Sequence, residues 1–133
     1  MNLGKTGKKG EDMVAAFLKK QGCTILNRNY SCRYGEIDIV AQKGGILLFV
    51  EVKTRKKDAL VSATQAVDQR KRQRIILTAE DYLSKAEAQF DLQPRFDVAE
   101  VLLEIDKTGI YISQLTRMCI EFALPRIEIK GDP

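Results

Sequence analysis

A run of five apolar residues, Ile46–Val50, leads directly into Glu51, Val52 and Lys53, and this junction most limits how the chain can fold. Five apolar residues in a row predict a strand that is buried on both faces of a sheet. Because alternate side chains of a strand share a face, Glu51 and Lys53 lie on the same face as Phe49. Burying unpaired charge is costly, so a carboxylate and an ammonium here need partners, a metal ion or a catalytic task.

The segment before this strand predicts the other half of a β-hairpin. Residues 35–41 alternate in polarity as a strand does, and Gly44–Gly45 suits a two-residue hairpin turn. With both glycines in the turn, Asp38 lies directly opposite Glu51, at a Cβ separation of roughly 5 Å, where like charges repel. Two opposed carboxylates favour a bound cation, and Mg²⁺ is suitable because it often takes only one or two carboxylates. A three-residue turn would shift the register by one residue and remove this opposition.

The chain contains no histidine, and this excludes whole classes of enzyme. Triads with a histidine base, histidine–zinc sites and histidine-dependent nuclease motifs cannot be built. Any hydrolysis would use carboxylates, lysine and a metal-activated water. Three cysteines are too few and too scattered for a disulfide framework or a zinc site, which predicts a reduced, cytoplasmic protein. No apolar run approaches the ~20 residues of a membrane span, so we expect no membrane partner.

The remaining pattern predicts one α/β domain over residues 1–133, with a core at 4–105 and a C-terminal extension at 106–133. Apolar stripes at helical spacing predict helices, and apolar runs predict strands. The helices are expected over 6–21 and 62–86, and the strands outside the hairpin over 24–26, 96–105 and 109–112. Residues 56–60 predict a charged loop, and the apolar stretch 118–129 shows no clear secondary-structure pattern.

Positive charge is concentrated directly after the hairpin. The segment 52–74 contains eight lysine and arginine residues against two aspartates, a net charge of +6, whereas the whole chain carries +4. A solvated helix face explains many basic runs, and an acidic protein partner would also fit one. Because this run follows the candidate metal site, it favours a polyanionic partner, with nucleic acid first.

Five segments of the chain, in order and at compact spacing, resemble the bacterial YraN family of endonuclease-like proteins. They are Gly7-Lys8-Lys9-Gly10-Glu11, Asn27-Arg28-Asn29-Tyr30, the segment 35–41, the segment 49–55 and Arg95-Phe96-Asp97-Val98. The family is placed in the PD-(D/E)xK nuclease superfamily and is similar to archaeal Holliday-junction resolvases. Ile37 stands where the superfamily often has proline before its first carboxylate. The resemblance covers residues 4–105.

The resemblance implies a restriction-endonuclease-like core, αβββαβ, in which a mixed sheet carries the hairpin site between helices. It also implies a metal-dependent endonuclease that hydrolyses DNA, with branched or structured DNA as a substrate class. Asp38 and Glu51 would bind Mg²⁺ (or Mn²⁺), with the Val52 carbonyl as a further ligand and Glu11 as an outer ligand. Lys53 would lie beside the attacking water. Resolvase-like members act as symmetric dimers, so a homodimer is a further expectation.

Six residues are candidates for contacts with nucleic acid, DNA rather than RNA, that fix the position of the backbone without reading sequence. They are Arg28, Tyr30, Arg33, Arg55, Gln65 and Lys71. A non-catalytic nucleic-acid-binding module with the nuclease fold is the alternative to an enzyme, and a protein adaptor is a third hypothesis.

Each candidate residue also has a structural interpretation. Glu51 and Lys53 can form an ion pair at the end of the strand, and Glu11 can be a solvated helix residue. Glu36 is expected to pair with Lys53 or Arg55. Three further structural readings are a helix-start role for Gln65, an ion pair of Asp97 with Arg95, and a core-edge position for Tyr30.

Overall fold

One mixed sheet of five strands organises the fold. The computed structural model describes residues 3–56, 69–85, 92–106 and 109–119. In chain order, the elements are α1 (Leu3–Lys20), β1 (Thr24–Cys32), β2 (Gly35–Lys43), β3 (Ile46–Lys56), α2 (Gln69–Lys85), β4 (Gln93–Asp106) and β5 (Gly109–Cys119). This order confirms the predicted α/β class, and β5 adds a fifth strand to the expected αβββαβ core.

The five strands lie side by side in the order in which they occur along the chain. β1, β2 and β3 form an antiparallel meander, β3 pairs with β4 in parallel, and β4 pairs with β5 antiparallel. A parallel pair needs a crossover connection, and α2 lies within that connection. The topology is consistent with a restriction-endonuclease-like core.

The two helices cover opposite faces of the sheet. The cluster on the α1 side includes Val14, Leu18, Leu48 and Val50. The cluster on the α2 side includes Leu47, Phe49, Ile75 and Tyr82. Successive residues of β3 therefore alternate between two packed cores, as its sequence predicts. Full burial of such side chains stabilises the fold by ~1.5–3 kcal/mol each, and the strand that carries Glu51 is held from both sides.

The hairpin has the predicted two-residue turn. Lys43 pairs with Ile46 across it, and Gly44 adopts a left-handed φ of 57°, which glycine adopts without steric cost. The register continues to Ile39 and Val50, and in the described part of the two strands the pairing ends there. Asp38 and Glu51 follow immediately, at the point where β2 and β3 stop pairing.

One predicted feature of β2 is wrong. Strict alternation places Ile37 on the same face as Ile39, but Ile37 packs in the α2-side cluster with Val40. The reason is that β2 stays paired with β1 beyond the point at which it leaves β3, with Tyr30 opposite Ile37. At this end of β2, residues two positions apart therefore no longer share one face of the sheet.

Element boundaries differ from the predictions mainly by length. β1 runs through to Cys32, with a register shift between Ile25 and Asn27, and the two strands predicted at 96–105 and 109–112 extend to 93–106 and 109–119. Residues 57–68 and 120–133 lie outside the described residues. Three predictions therefore fall wholly or partly outside them. They are the 56–60 loop beyond its first residue, the first part of the 62–86 helix, and most of the 118–129 stretch. Within the described residues, neither helix has the length and apolarity needed to cross a membrane.

Helix α1 approaches β3 most closely at Gly10. A Cβ atom added at Gly10 would lie 2.1 Å from Thr54 Oγ1 and 3.3 Å from Thr54 Cβ, so no larger residue fits without movement. A Cβ added at Gly7, one turn earlier, would meet nothing within 4 Å. Glycine at position 10 thus sets the distance between β3 and the helix that carries Glu11.

We expect Gly10→Ala to destabilise the protein by ~1–3 kcal/mol, because overpacking outweighs the gain of up to ~1 kcal/mol in helix propensity. Gly7→Ala is the matched control and should stabilise. The free energy of unfolding in urea measures both. In a Thr54→Ala background, Gly10→Ala should become neutral or stabilising, since the Oγ1 atom that would lie at 2.1 Å is gone. Equal effects of Gly10→Ala in both backgrounds would contradict this account.

Candidate active site

Asp38 lies half-buried at the end of the β2–β3 pairing. Its Oδ2 atom accepts a hydrogen bond of 2.7 Å from the backbone N–H of Val52. Burial, together with the neighbouring Glu51 and Glu11 carboxylates, raises the pKa of Asp38 to about 6, against the Val52 hydrogen bond and Lys53. A carboxylate held in a dry position beside two others is poised to accept a cation.

Glu51 uses one carboxylate oxygen and leaves the other without a hydrogen-bond partner. Its Oε1 atom contacts Lys53 Nζ at 3.2 Å and Lys71 Nζ at 2.5 Å. Its Oε2 atom is buried and, in the described part of the chain, accepts no hydrogen bond. A cavity of about 10 Å³, close to the volume that one water needs, is lined by Glu51, Glu36, the buried Asp97 and apolar side chains. A buried oxygen without a partner beside such a space is where a bound ion or water would gain most.

Lys53 is partly buried between Glu51 and Lys71. Burial lowers the pKa of Lys53, and contact with Lys71 lowers it further, while Glu51 opposes both effects. For Lys71, burial lowers the pKa, but its contacts with Glu51 and Lys53 outweigh burial and raise it. Of the two ammoniums, Lys53 therefore releases its proton more readily, which suits a group beside a reacting water.

Glu11 approaches from α1 and is fixed by β1. Arg28 donates to Glu11 Oε1 from Nε at 3.3 Å and from Nη2 at 3.0 Å, and Asn29 Nδ2 donates to the same oxygen at 3.0 Å. Asn29 has a left-handed φ of 55°, an uncommon conformation for a non-glycine residue that directs its amide to Glu11. Glu11 thus borders the site but is held by β1.

Glu11 and Asp38 line a common cleft of about 700 Å³. Its charged lining residues are Lys8, Glu11, Asp12, Arg28, Glu36 and Asp38. The four carboxylates outnumber the two cations, so the cleft attracts cations more than anions.

The donor set fits a magnesium ion that takes few protein ligands. Asp38 and Glu51 supply hard carboxylate oxygens, which Mg²⁺ prefers, and Glu51 Oε2 accepts no hydrogen bond from any residue that the structure describes. Among residues 3–56, 69–85, 92–106 and 109–119, no group of three aspartate, glutamate, cysteine or histidine residues is placed to hold a metal. A bound ion would therefore rely on two carboxylates, with backbone and water for the rest.

The segment that contains this site matches a known protein family. The model of Uncharacterised protein family UPF0102 matches residues 10–101, from within α1 to within β4. This chain belongs to UPF0102, the YraN family. The sequence resemblance to that family is confirmed.

Curated relatives support the same assignment. A UPF0102 protein of Dictyoglomus thermophilum is 45% identical over 103 residues, which cover 77% of this chain and 86% of the relative. A UPF0102 protein of Pseudomonas paraeruginosa is 44% identical over 101 residues, 75% of this chain and 80% of the relative. A third, from Caldicellulosiruptor saccharolyticus, is 37% identical over 105 residues, 79% and 88% of the two chains.

The structure of this UPF0102 protein brings four predicted residues to one place. Asp38, Glu51 and Lys53 lie around the end of the hairpin pairing, and Glu11 lies close enough to raise the pKa of Asp38. The predicted strand-end ion pair of Glu51 and Lys53 is present as well. Both interpretations of Glu51 are therefore compatible with its surroundings.

Within the described residues, the predicted nucleic-acid contacts bind other groups of the protein itself. Arg28 binds Glu11 and Asp12, and Arg55 lies 3.9 Å from Glu100. Arg33 is exposed, donates to the Tyr34 hydroxyl and stacks over that ring at 4.7 Å. Lys71 contacts Glu51 within the site, and Gln65 lies outside the described residues. Their role as nucleic-acid contacts remains a prediction.

Tyr30 occupies the core edge on the α2 side. Its hydroxyl donates to Asp81, and its ring meets Tyr82 edge to face at a centroid distance of 5.1 Å. The hydrogen bond to Asp81 and partial burial raise the pKa of Tyr30 to about 12. The core-edge interpretation of Tyr30 is confirmed.

Two further structural interpretations can be judged. Arg95 binds the buried Asp97 through two hydrogen bonds of 2.8 and 2.9 Å, which confirms the predicted ion pair. The preference for Glu36 as partner of Lys53 or Arg55 is wrong. Among described residues, Lys53 pairs with Glu51 and Arg55 with Glu100, because β2 leaves β3 before Glu36.

Sequence reasoning missed two features of the site. Lys71 lies one turn before Ile75 on the stripe of α2 that faces the sheet, which continues through Thr78 and Tyr82. Extending the apolar stripe back by four residues would have directed Lys71 toward Glu51, whereas the sequence analysis assigned it only a contact with nucleic acid. The left-handed Asn29 gave no comparable signal, because a polar residue within a strand pattern does not predict φ.

Proposed function

We propose that this UPF0102 protein is a metal-dependent endonuclease that hydrolyses phosphodiester bonds in DNA. The observation that supports this most is the proximity of Asp38 to a Glu51 whose buried Oε2 has no hydrogen-bond partner among described residues, with Lys53 beside it. A purely structural ion pair leaves no reason for that oxygen to stay unsatisfied.

In this proposal, Asp38 and Glu51 hold Mg²⁺ (or Mn²⁺), and the Val52 carbonyl is a further ligand. A divalent ion there supplies Lewis-acid stabilisation of the phosphoryl oxygens and a lower pKa for a bound water. The Val52 N–H fixes Asp38 through its hydrogen bond, so that carboxylate is oriented before any ion binds. Such preorganisation is what electrostatic catalysis requires.

Lys53 and Glu11 have separate roles in the mechanism. Lys53 orients the attacking water, takes or shares its proton through an amine whose pKa is lowered by burial, and offsets charge on the pentacovalent transition state. Glu11, held by Arg28 and Asn29, acts from the outer side through water. Positioning and electrostatics then supply most of the rate enhancement.

The proposed substrate is DNA, with branched or structured DNA as the class that the resolvase resemblance favours. The net charge of +6 within residues 52–74 supports a polyanion, because it directly follows the site. The proposal includes a cytoplasmic location and a homodimer, since two strands of a junction are cut at two-fold-related positions.

A non-catalytic nucleic-acid-binding module is the second candidate. Glu51 Oε1 is engaged by two lysines, and no three-carboxylate group capable of holding a metal occurs in the described residues. If Lys53 and Lys71 stay on Glu51 when nucleic acid binds, the site would bind no metal and would not activate water.

A cleavage assay separates the two candidates. Purified protein is tested on labelled single-stranded, duplex, flapped and four-way-junction DNA with Mg²⁺, Mn²⁺ or EDTA. We expect cleavage that requires metal, and Lys53→Ala should lower its rate by roughly 10²–10³-fold, the typical effect of removing one charge-stabilising donor. Lys43→Ala, which removes an exposed lysine at the opposite end of the hairpin, should cut at nearly the wild-type rate.

Other outcomes of the assay are equally informative. No cutting by the wild type in any metal, together with tight and salt-sensitive DNA binding, would reject the enzyme and support the binding module. Equal rates for Lys53→Ala and Lys43→Ala would reject the role assigned to Lys53.

A further inference from the structure

Lys71 reaches the site from α2, whereas the other site residues lie on α1, β2 and β3. It lies on the sheet-facing stripe of α2, four residues before the buried Ile75. Its Nζ atom is 2.5 Å from Glu51 Oε1, closer than Lys53 Nζ at 3.2 Å. Both lysine side chains are about one-third exposed or less, so these charges interact with little screening by water.

Among the described residues, two ammoniums, Lys53 and Lys71, already contact Glu51 Oε1 without a metal, while Asp38 and Glu11 add negative charge nearby. A divalent ion added beside Glu51 would bring two more positive charges next to both lysines, a strongly unfavourable arrangement at such distances. The ion can bind well only if an ammonium leaves or if a negative group arrives with it.

Lys71 is the ammonium that can leave. Lys53 is on β3, two residues from Glu51 on the same strand face, so its backbone lies directly beside Glu51. Lys71 extends from a helix on a flexible four-carbon stem, so its ammonium can swing away while its backbone stays in α2. The phosphodiester of a bound nucleic acid is the anion that would receive it.

We propose that Lys71 is the resident counter-cation of Glu51, which a divalent ion displaces, and that the displaced ammonium binds the nucleic-acid phosphate. This inference rests on the proposed function. Metal and nucleic acid would then bind cooperatively, because the metal frees Lys71 for the phosphate and the phosphate draws Lys71 away from the metal. Each ligand must raise the affinity for the other by the same factor. Free protein would hold metal weakly, which limits hydrolytic activity to the nucleic-acid complex.

The test compares Lys71→Met and Lys71→Gln with the matched control Arg70→Met, which removes an exposed cation from the same turn of α2. Mn²⁺ affinity of the DNA-free proteins is measured by electron paramagnetic resonance. Affinity for four-way-junction DNA is measured by fluorescence anisotropy, once in EDTA and once in Ca²⁺. Circular dichroism establishes that each variant is folded.

Both Lys71 variants should bind Mn²⁺ about tenfold more tightly than wild type, because a competing positive charge is gone. They should lose DNA affinity in Ca²⁺ and much less in EDTA, since in metal-free protein Lys71 is engaged by Glu51. Arg70→Met should leave Mn²⁺ affinity unchanged and should lower DNA affinity equally in both conditions.

Unchanged or weaker Mn²⁺ binding in both Lys71 variants would overturn the inference, even where the wild type cuts DNA with metal. The proposed nuclease would survive that result. If neither wild type nor variants bind Mn²⁺ at millimolar concentration with or without DNA, the proposed function fails, and the inference about Lys71 fails with it.

Discussion

Asp38→Asn should stabilise the metal-free protein and abolish metal-dependent cleavage. The carboxylate is half-buried next to two other carboxylates, and its pKa is raised from 3.8 to about 6. At pH 7 the folded protein therefore holds a charge that it would be more stable without, by roughly 2–3 kcal/mol. Asparagine removes the charge and can still accept the hydrogen bond from the Val52 N–H.

The pH dependence has a definite sign. Because the pKa of Asp38 is higher in the folded than in the unfolded protein, the folded state binds more protons between about pH 4 and pH 6. Wild-type stability therefore falls as pH rises through this window. The stability gain from Asp38→Asn should be near zero below pH 4 and complete above pH 6 to 7.

Urea unfolding in EDTA at pH 4, 5.5 and 7 measures this gain, and Glu36→Gln on the same strand is the control, with stability near wild type. Added Mn²⁺ should stabilise wild type and not Asp38→Asn, because binding to the folded state adds to stability. Cleavage should fall at least roughly a thousandfold, as expected when several kcal/mol of metal-derived stabilisation are lost. A destabilised Asp38→Asn protein at pH 7 would contradict the strained-carboxylate account.

Local chemistry made the hairpin site predictable from sequence. Gly44 and Gly45 fixed the turn, the turn fixed the register, and the apolar run fixed which strand lies at the centre. Each of these depends on residues within a few positions of one another. The proximity of Asp38 to Glu51 therefore followed from the sequence, although the strand pairing itself ends one residue earlier, at Ile39 and Val50.

The parts that could not be predicted depend on contacts between elements distant in sequence. Ile37 changes core because β2 follows β1 where it leaves β3, and no local pattern marks that divergence. The engagement of Glu11 by Arg28 and Asn29 depends on where α1 crosses β1. Lys71 is intermediate, because helical spacing indicates its direction but only the packing of α2 places it at Glu51.

Arg95→Met should be strongly destabilising, because it removes the bidentate partner of a buried carboxylate. The Asp97 side chain is fully buried, and Arg95 binds its two oxygens at 2.8 and 2.9 Å. Breaking a buried pair costs several kcal/mol, and the partial exposure of Arg95 places the expected loss at about 3 kcal/mol. Asp97 lies opposite Val50 on the neighbouring strand, next to Glu51.

That position makes Arg95 important for the active site as well as for the fold. By neutralising Asp97, it keeps a further negative charge beside Glu51 from altering the site. The double variant Arg95→Met/Asp97→Asn should recover much of the lost stability, since the uncompensated charge is gone, and urea unfolding measures all three proteins. If Asp97 were a metal ligand, Asp97→Asn alone would abolish cleavage at unchanged stability. We expect the reverse, a loss of stability with cleavage retained at temperatures where the variant remains folded.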